Sequence, residues 1–155
     1  MNDFIPYGRQ QLDDGDIDCV LNVLRGDWLT QGPSITSFES AFAEYVGARF
    51  AVACSNGTAA LHLACLALDL KETDTLVTSP ITFLASANCA QFMGATTAFV
   101  DIDPSTRCIS VEKLDQELKS RKIDVVVPVH FAGHSSEMAH LKQLQQQYGF
   151  KIIED

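Results

Sequence analysis

Apolar and polar positions along the chain change their rhythm near residue 49. Before it, the pattern is helical. Ile17, Val20, Leu21 and Leu24 fall on one face of a helix that opens near Asp13 and Asp14, whose carboxylates suit a helix N-terminus, and stops at Gly26. A second helix follows the turn Gly32-Pro33-Ser34. Its apolar residues Ile35, Phe38, Phe42 and Tyr45 recur at three- and four-residue steps, and Gly47 is a natural stop. Between the two lies a glycine-bounded loop, Gly26 to Gly32, carrying the only tryptophan, Trp28. Such a loop is either a packed turn or a binding element.

From residue 49 onward short apolar runs alternate with helical stretches. Strands are predicted at Phe50–Cys54, Leu76–Thr78, Thr97–Asp101, Val125–Val129 and Lys151–Glu154. Helices are predicted at Thr58–Leu68, Phe83–Phe92, Val111–Leu118 and Met138–Tyr148. Continuously apolar strands separated by helices imply a parallel-rich sheet with helices on both faces, the α/β class. The organisation expected is a helical segment with a loop over residues 1–48 and an α/β domain over residues 49–155.

Composition narrows the function classes. The chain has 155 residues, 46% of them apolar and 20% charged, which is the balance of a soluble globular domain. Eleven basic against twenty acidic residues give a net charge of −9 with no basic cluster, so nucleic acid is a poor partner. No stretch approaches the ~20 apolar residues that cross a bilayer. The start of the chain lacks a basic segment followed by an apolar one, so a cytoplasmic protein is expected. Cys19, Cys54, Cys65, Cys89 and Cys108 lie far apart among mostly apolar neighbours and read as buried free thiols.

In a parallel α/β sheet ligands gather at the carboxyl ends of the strands. Four segments there stand out. Ser55-Asn56-Gly57-Thr58-Ala59-Ala60 leads into a helix and reads either as an anion site, with a hydroxyl, a glycine and free amides, or as a plain N-cap and turn. It matches neither the dinucleotide fingerprint nor the P-loop, so a phosphate held there belongs to a smaller ligand. In the second segment, from Thr78 to Asn88, Thr82 and Phe83 come at a helix start, where Phe83 either lies over a flat ring or packs in the core. The third, Val129 to His134, brings two histidines without the accompanying ligands that zinc demands, so no metal is assigned. The fourth is Asp155, either the partner of a protonated ring nitrogen or a solvated acid.

Together these segments resemble the N-terminal half of the large domain of fold-type I pyridoxal-phosphate enzymes, in the DegT/DnrJ/StrS family of nucleotide-sugar aminotransferases. The residues that carry the resemblance are Asp27 to Gly32, Ser55 to Ala64, Thr78 to Cys89, Phe99 to Asp103, Val127 to Gly133 and Ile153 to Asp155. The resemblance implies pyridoxal 5'-phosphate as cofactor, with Gly57 and Thr58 on its phosphate, Phe83 stacked on its ring and Asp155 on its ring nitrogen. Tyr7 and the loop Asp27, Trp28, Leu29 and Thr30, with Gly57, match positions that face the substrate. The implied partners are a UDP-linked keto-sugar and an amino donor, usually glutamate, acting on a homodimer.

The resemblance also implies a departure. The family's reactive lysine, which forms the Schiff base with the cofactor, lies downstream of the position matching Asp155, and so does a smaller second domain. Lys71, Lys113, Lys119, Lys122, Lys142 and Lys151 all fall away from the predicted site, so residues 1–155 by themselves are expected not to transaminate. Two rivals stand beside this reading. One is a non-catalytic phospho-ligand-binding or interaction domain, complete as it is. The other is a sugar dehydratase of the same family, in which histidine replaces the lysine.

Overall fold

The computed structural model describes residues 8–155. The chain divides into two compact units, Met1–Ala53 and Cys54–Asp155.

The first unit is helical. Helix α1, Asp14–Leu24, is closed at its start by a reciprocal capping box between Asp13 and Asp16, each side chain accepting the other's backbone amide at 3.0 and 3.1 Å. Helix α2, Pro33–Val46, starts with proline at a position where its missing N–H costs nothing and ends on Gly47 in the left-handed conformation, φ 68°. Both starts and stops follow the sequence pattern. The expected strand at Phe50–Cys54 does not form. Strands exist by pairing, and among the described residues this run has no ladder partner; the Ala53 amide donates instead to Glu39 Oε1 at 2.8 Å.

The second unit is a four-stranded, wholly parallel sheet in the order β2-β1-β3-β4. Its elements follow one another as α3 (Gly57–Ala67), β1 (Thr75–Thr78), α4 (Ala85–Phe92), β2 (Thr96–Phe99), α5 (Val111–Ser120), β3 (Val125–Val127), α6 (Met138–Tyr148) and β4 (Lys151–Ile152). Side chains alternate across the sheet, and the two cores record that alternation. Leu76, Val125, Val127 and Ile153 pack with Leu61 and Cys65 of α3 and with Ala85, Cys89 and Ala90 of α4. Val77 and Val126 pack on the opposite face with Leu114 and Leu118 of α5 and Leu141 and Leu144 of α6. One sheet is thus covered twice, which explains why β1 and β3 are buried on both faces.

The thiols divide. Cys65, Cys89 and Cys108 are buried as expected, but Cys19 and Cys54 are exposed. Cys19 lies on α1, none of whose residues is buried, and Cys54 falls in the run that fails to become a strand. No helix among the described residues is long and apolar enough to cross a membrane.

Candidate functional site

Helices that lead into parallel strands run antiparallel to them, so the N-termini of α3 and α4 come to the carboxyl edge of the sheet. Three groups gather along that edge.

At the start of α3, Asn56 is the N-cap, and its Oδ1 accepts from the Ala59 amide at 2.9 Å. The Ala60 amide reaches the Asn56 carbonyl at 3.0 Å. This leaves the amides of Gly57 and Thr58 without a protein acceptor among the described residues, pointing from the positive end of the helix dipole. Asn56 thus caps the helix, and two amide donors remain beside it. Gly57 does not have the positive φ that favours glycine, and a Cβ built on it would meet nothing within 4 Å. Neither backbone nor packing in this chain demands a glycine there.

At the start of α4, Phe83 immediately precedes the N-cap Leu84 and is 77% exposed. It is not a core residue. Three positions on, Ser86 is fully buried, and its Oγ lies 2.6 Å from Thr82 Oγ1 and within hydrogen-bond reach of Asp155 Oδ2.

Asp155 follows β4 and is held on its backbone by the edge of β3. Its amide donates to the Pro128 carbonyl at 3.0 Å, and its carbonyl accepts from the His130 amide at 2.8 Å. The ladder thus runs on past the two residues of β4, as the sequence expectation of a strand to Glu154 had it. The neighbouring Glu154 carboxylate meets His130 Nε2 at 3.2 Å. Since His130 Nδ1 accepts from the Ser136 amide at 3.1 Å, the neutral ring carries its proton on Nε2 and donates it to Glu154. His130 is consequently a loop histidine with both ring nitrogens engaged. It opens a tight turn in which Ala132 and Gly133 are both left-handed, φ 51° and 81°.

In the Met1–Ala53 unit, Trp28 is 63% exposed and lines a shallow cleft of about 260 Å³ with Asn22, Val23, Asp27 and Ser34. The loop is fixed by Gly32, where a Cβ would come within 2.6 Å of Trp28 Cβ. Leu29 is also exposed. Tyr7 lies outside the described residues.

Five of the six lysines are engaged elsewhere: Lys71 with Asp69, Lys113 with Asp101 at 2.6 Å, Lys119 with Asp115 and Lys122 with Asp124 at 2.5 Å, and Lys151 with the Leu68 carbonyl at 2.9 Å. Hydrogen bonds from Lys113 and from the Ile102 amide hold the Asp101 carboxyl below the usual carboxylate range. Cys89 is a buried residue of α4, and its thiol is pushed up, first by its hydrogen bond to Cys65 and then by burial.

The edge therefore offers two amides at a helix N-terminus for an anion, an exposed aromatic face for a flat ring, and a fastened carboxylate for a cation. Sequence reasoning had singled out all three but not Ser86. Its signal was a lone polar residue in the otherwise small apolar run Leu84-Ala85-Ser86-Ala87.

Fold and strand-end groups together define an α/β protein whose ligand side is the carboxyl edge of a parallel sheet. The chain belongs to the DegT/DnrJ/EryC1/StrS aminotransferase family, whose profile matches residues 10–155. It is 40% identical over 154 residues to the spore coat polysaccharide biosynthesis protein SpsC of Bacillus subtilis, covering 99% of this chain and 39% of that protein. An aminotransferase from Psychrobacter cryohalolentis superposes with a TM-score of 0.89 at 32% identity, over 97% of this chain and 38% of that one. NtdA from Bacillus subtilis, solved with bound cofactor PMP, superposes with a TM-score of 0.85 at 31% identity, over 92% of this chain and 34% of its own. The chain spans about two fifths of the length of the curated relatives it matches, 39% in each case.

Proposed function

We propose that these residues form the first part of the cofactor-binding domain of a pyridoxal-phosphate-dependent sugar aminotransferase, with 49–155 as the incomplete α/β domain and 1–48 as a helical segment bearing a substrate-facing loop. The observation that carries the proposal is the fastening of Asp155. Its main chain is clamped by Pro128 and His130 and its Oδ2 is taken by Ser86, while Oδ1 has no protein partner among the described residues. A carboxylate held that way suits one cationic partner.

Pyridoxal phosphate, when bound, supplies an aldehyde that carries the amino group and a ring that draws electrons from the reacting carbon. The residues present fit it. Gly57 and Thr58 bind the phosphate by their amides and the Thr58 hydroxyl, in the space a Cβ on Gly57 would otherwise occupy. Phe83 lies against the ring face and keeps water off it. Asp155 holds a proton on the ring nitrogen through a charge-assisted hydrogen bond. Substrate binding is assigned by resemblance to Tyr7, to Asp27, Trp28, Leu29 and Thr30 of the loop, and to Gly57. No lysine of this chain serves as the reactive amine, which comes from outside residues 1–155, so the 155 residues alone are inactive. A smaller second domain and a homodimer partner, also outside these residues, complete the site of a cytoplasmic enzyme.

The reaction is transfer of an amino group, from glutamate, to C4 of a UDP-linked 4-keto-6-deoxy-N-acetylhexosamine. The runs Ser55 to Ala64 and Thr78 to Cys89 resemble those of UDP-4-amino-4,6-dideoxy-N-acetyl-β-L-altrosamine transaminase of the pseudaminic acid pathway, which is the member of the family we propose. The test is to incubate the complete gene product with the cofactor, glutamate and that keto-sugar. The expected product carries an amine at C4. Release of water without gain of nitrogen would make the protein a dehydratase, and cofactor binding without any turnover would make it a binding domain; either result overturns the proposal.

A further inference from the structure

Asp155 is not oriented by its own strand alone. The backbone clamp fixes where its Cα sits, but a carboxylate on an extended strand can still turn about its side-chain bonds. What stops that turn is the buried hydroxyl of Ser86, and proton bookkeeping determines the direction of the whole chain of contacts. An ionised carboxylate only accepts, so the single Ser86 proton goes to Asp155 Oδ2. The Ser86 oxygen must then accept at its other contact, so the Thr82 hydroxyl, 2.6 Å away, donates to it. The Phe83 carbonyl, 3.2 Å from the same Oγ, receives no proton in this arrangement. Thr82, Ser86 and Asp155 thus form a one-way relay of hydroxyl donors ending on one oxygen of the carboxylate.

We infer that Ser86 is a positioning residue: it holds Asp155 turned so that Oδ1 faces the ligand, and Thr82 in turn keeps the Ser86 proton pointed at Asp155. The inference rests on the reading of Asp155 as the partner of a protonated ring nitrogen. Ser86 touches neither ligand nor reacting atoms. Because it sits three residues after Phe83 on the first turn of α4, one helix start presents the stacking ring and aims the carboxylate. A shift of α4 therefore moves both contacts to the ring together.

The test is a double-mutant cycle on the complete gene product, with Ser86→Ala made in the wild type and in Asp155→Ala. The readouts are the dissociation constant for pyridoxal phosphate, from fluorescence titration, and the NMR shift of an isotopically labelled ring nitrogen in the bound cofactor. Ser86→Ala in the wild type is expected to weaken binding about tenfold, the size of a lost hydrogen bond to a charged group, and to move the ring nitrogen toward its unprotonated shift. In the Asp155→Ala background the same change is expected to do nothing further, and Ser86→Thr, which keeps the donor, should restore the wild-type nitrogen shift. Equal loss from Ser86→Ala in both backgrounds, or an unchanged nitrogen shift, overturns the inference while leaving the function standing. Failure of the wild type to bind the cofactor overturns the function itself, and the inference with it. Should Ser86→Ala lose its circular-dichroism signature, Thr82→Val takes its place in the cycle, with the same criteria.

Discussion

Glycine 57 separates two demands that usually coincide. A glycine is commonly kept because its φ is left-handed or because a neighbour approaches too closely, and neither holds here. Gly57→Ala is therefore expected to leave the thermal midpoint unchanged or slightly raised, since alanine is the better helix former, while weakening binding of pyridoxal phosphate. A fall in the midpoint with unchanged binding would place the glycine in folding and not in the site. Gly32 behaves oppositely, because Trp28 Cβ occupies the space its side chain would need. Chemical reactivity at this scale follows burial. Cys89 is fully buried on the inner side of α4 with its thiol pushed up, so it should resist alkylation by iodoacetamide in the native protein and react only on denaturation. Rapid labelling of Cys89 without unfolding would contradict the packing described.

The helices are built with unequal security. Helix α3 is closed by one side-chain cap, and Asn56→Ala should lower stability by about 1 kcal/mol, measured by denaturant titration. Helices α5 and α6 are tied together by the Tyr148 hydroxyl, which donates to Asp115 Oδ1 at 2.9 Å, while Lys119 pairs with the same carboxylate. Hydrogen bonds from Lys119 and Tyr148 hold the Asp115 carboxyl below its ordinary value, and Asp115 holds the Tyr148 phenol above its own. The lowered acid contributes stability that is present above its unfolded pKa and lost as pH falls through the folded one. The raised phenol contributes stability that is present below its unfolded pKa, near 10, and lost as pH rises through the folded one. Tyr148→Phe should accordingly flatten the alkaline side of the stability profile and leave most of the acid side, where Lys119 still acts. An unaltered alkaline limb would show that the α5–α6 tie contributes nothing.

At the scale of the whole molecule the double-sided sheet carries the stability of the Cys54–Asp155 unit. Leu114 on one face and Leu76 on the other are fully buried, and truncating either to alanine should cost about 3 kcal/mol by chemical denaturation. The function proposed belongs to this scale too, because the chain spans only 39% of the length of each of two curated relatives it matches.

Much of this was legible in the chain itself. The helical periods of α1 and α2, the apolar runs of β1 and β3, and the capping and stop residues Asp13, Asn56 and Gly47 are local matters, decided within a few residues by propensity and by the orphan amides of helix ends. The parallel alternation followed, and with it the edge where ligands belong. Local rules failed at Phe50–Cys54, since a strand depends on a partner the sequence does not name, and at Cys19 and Cys54, because burial depends on tertiary packing and apolar neighbours in sequence do not decide it. Only the tertiary structure could decide that Phe83 is exposed while Ser86, three residues away, is buried. Only the folded sheet sets Ser86 against Asp155, 69 positions along the chain. Hydrogen bonds at that separation exist only after the strands have ordered themselves as β2-β1-β3-β4, and no spacing in the sequence encodes them.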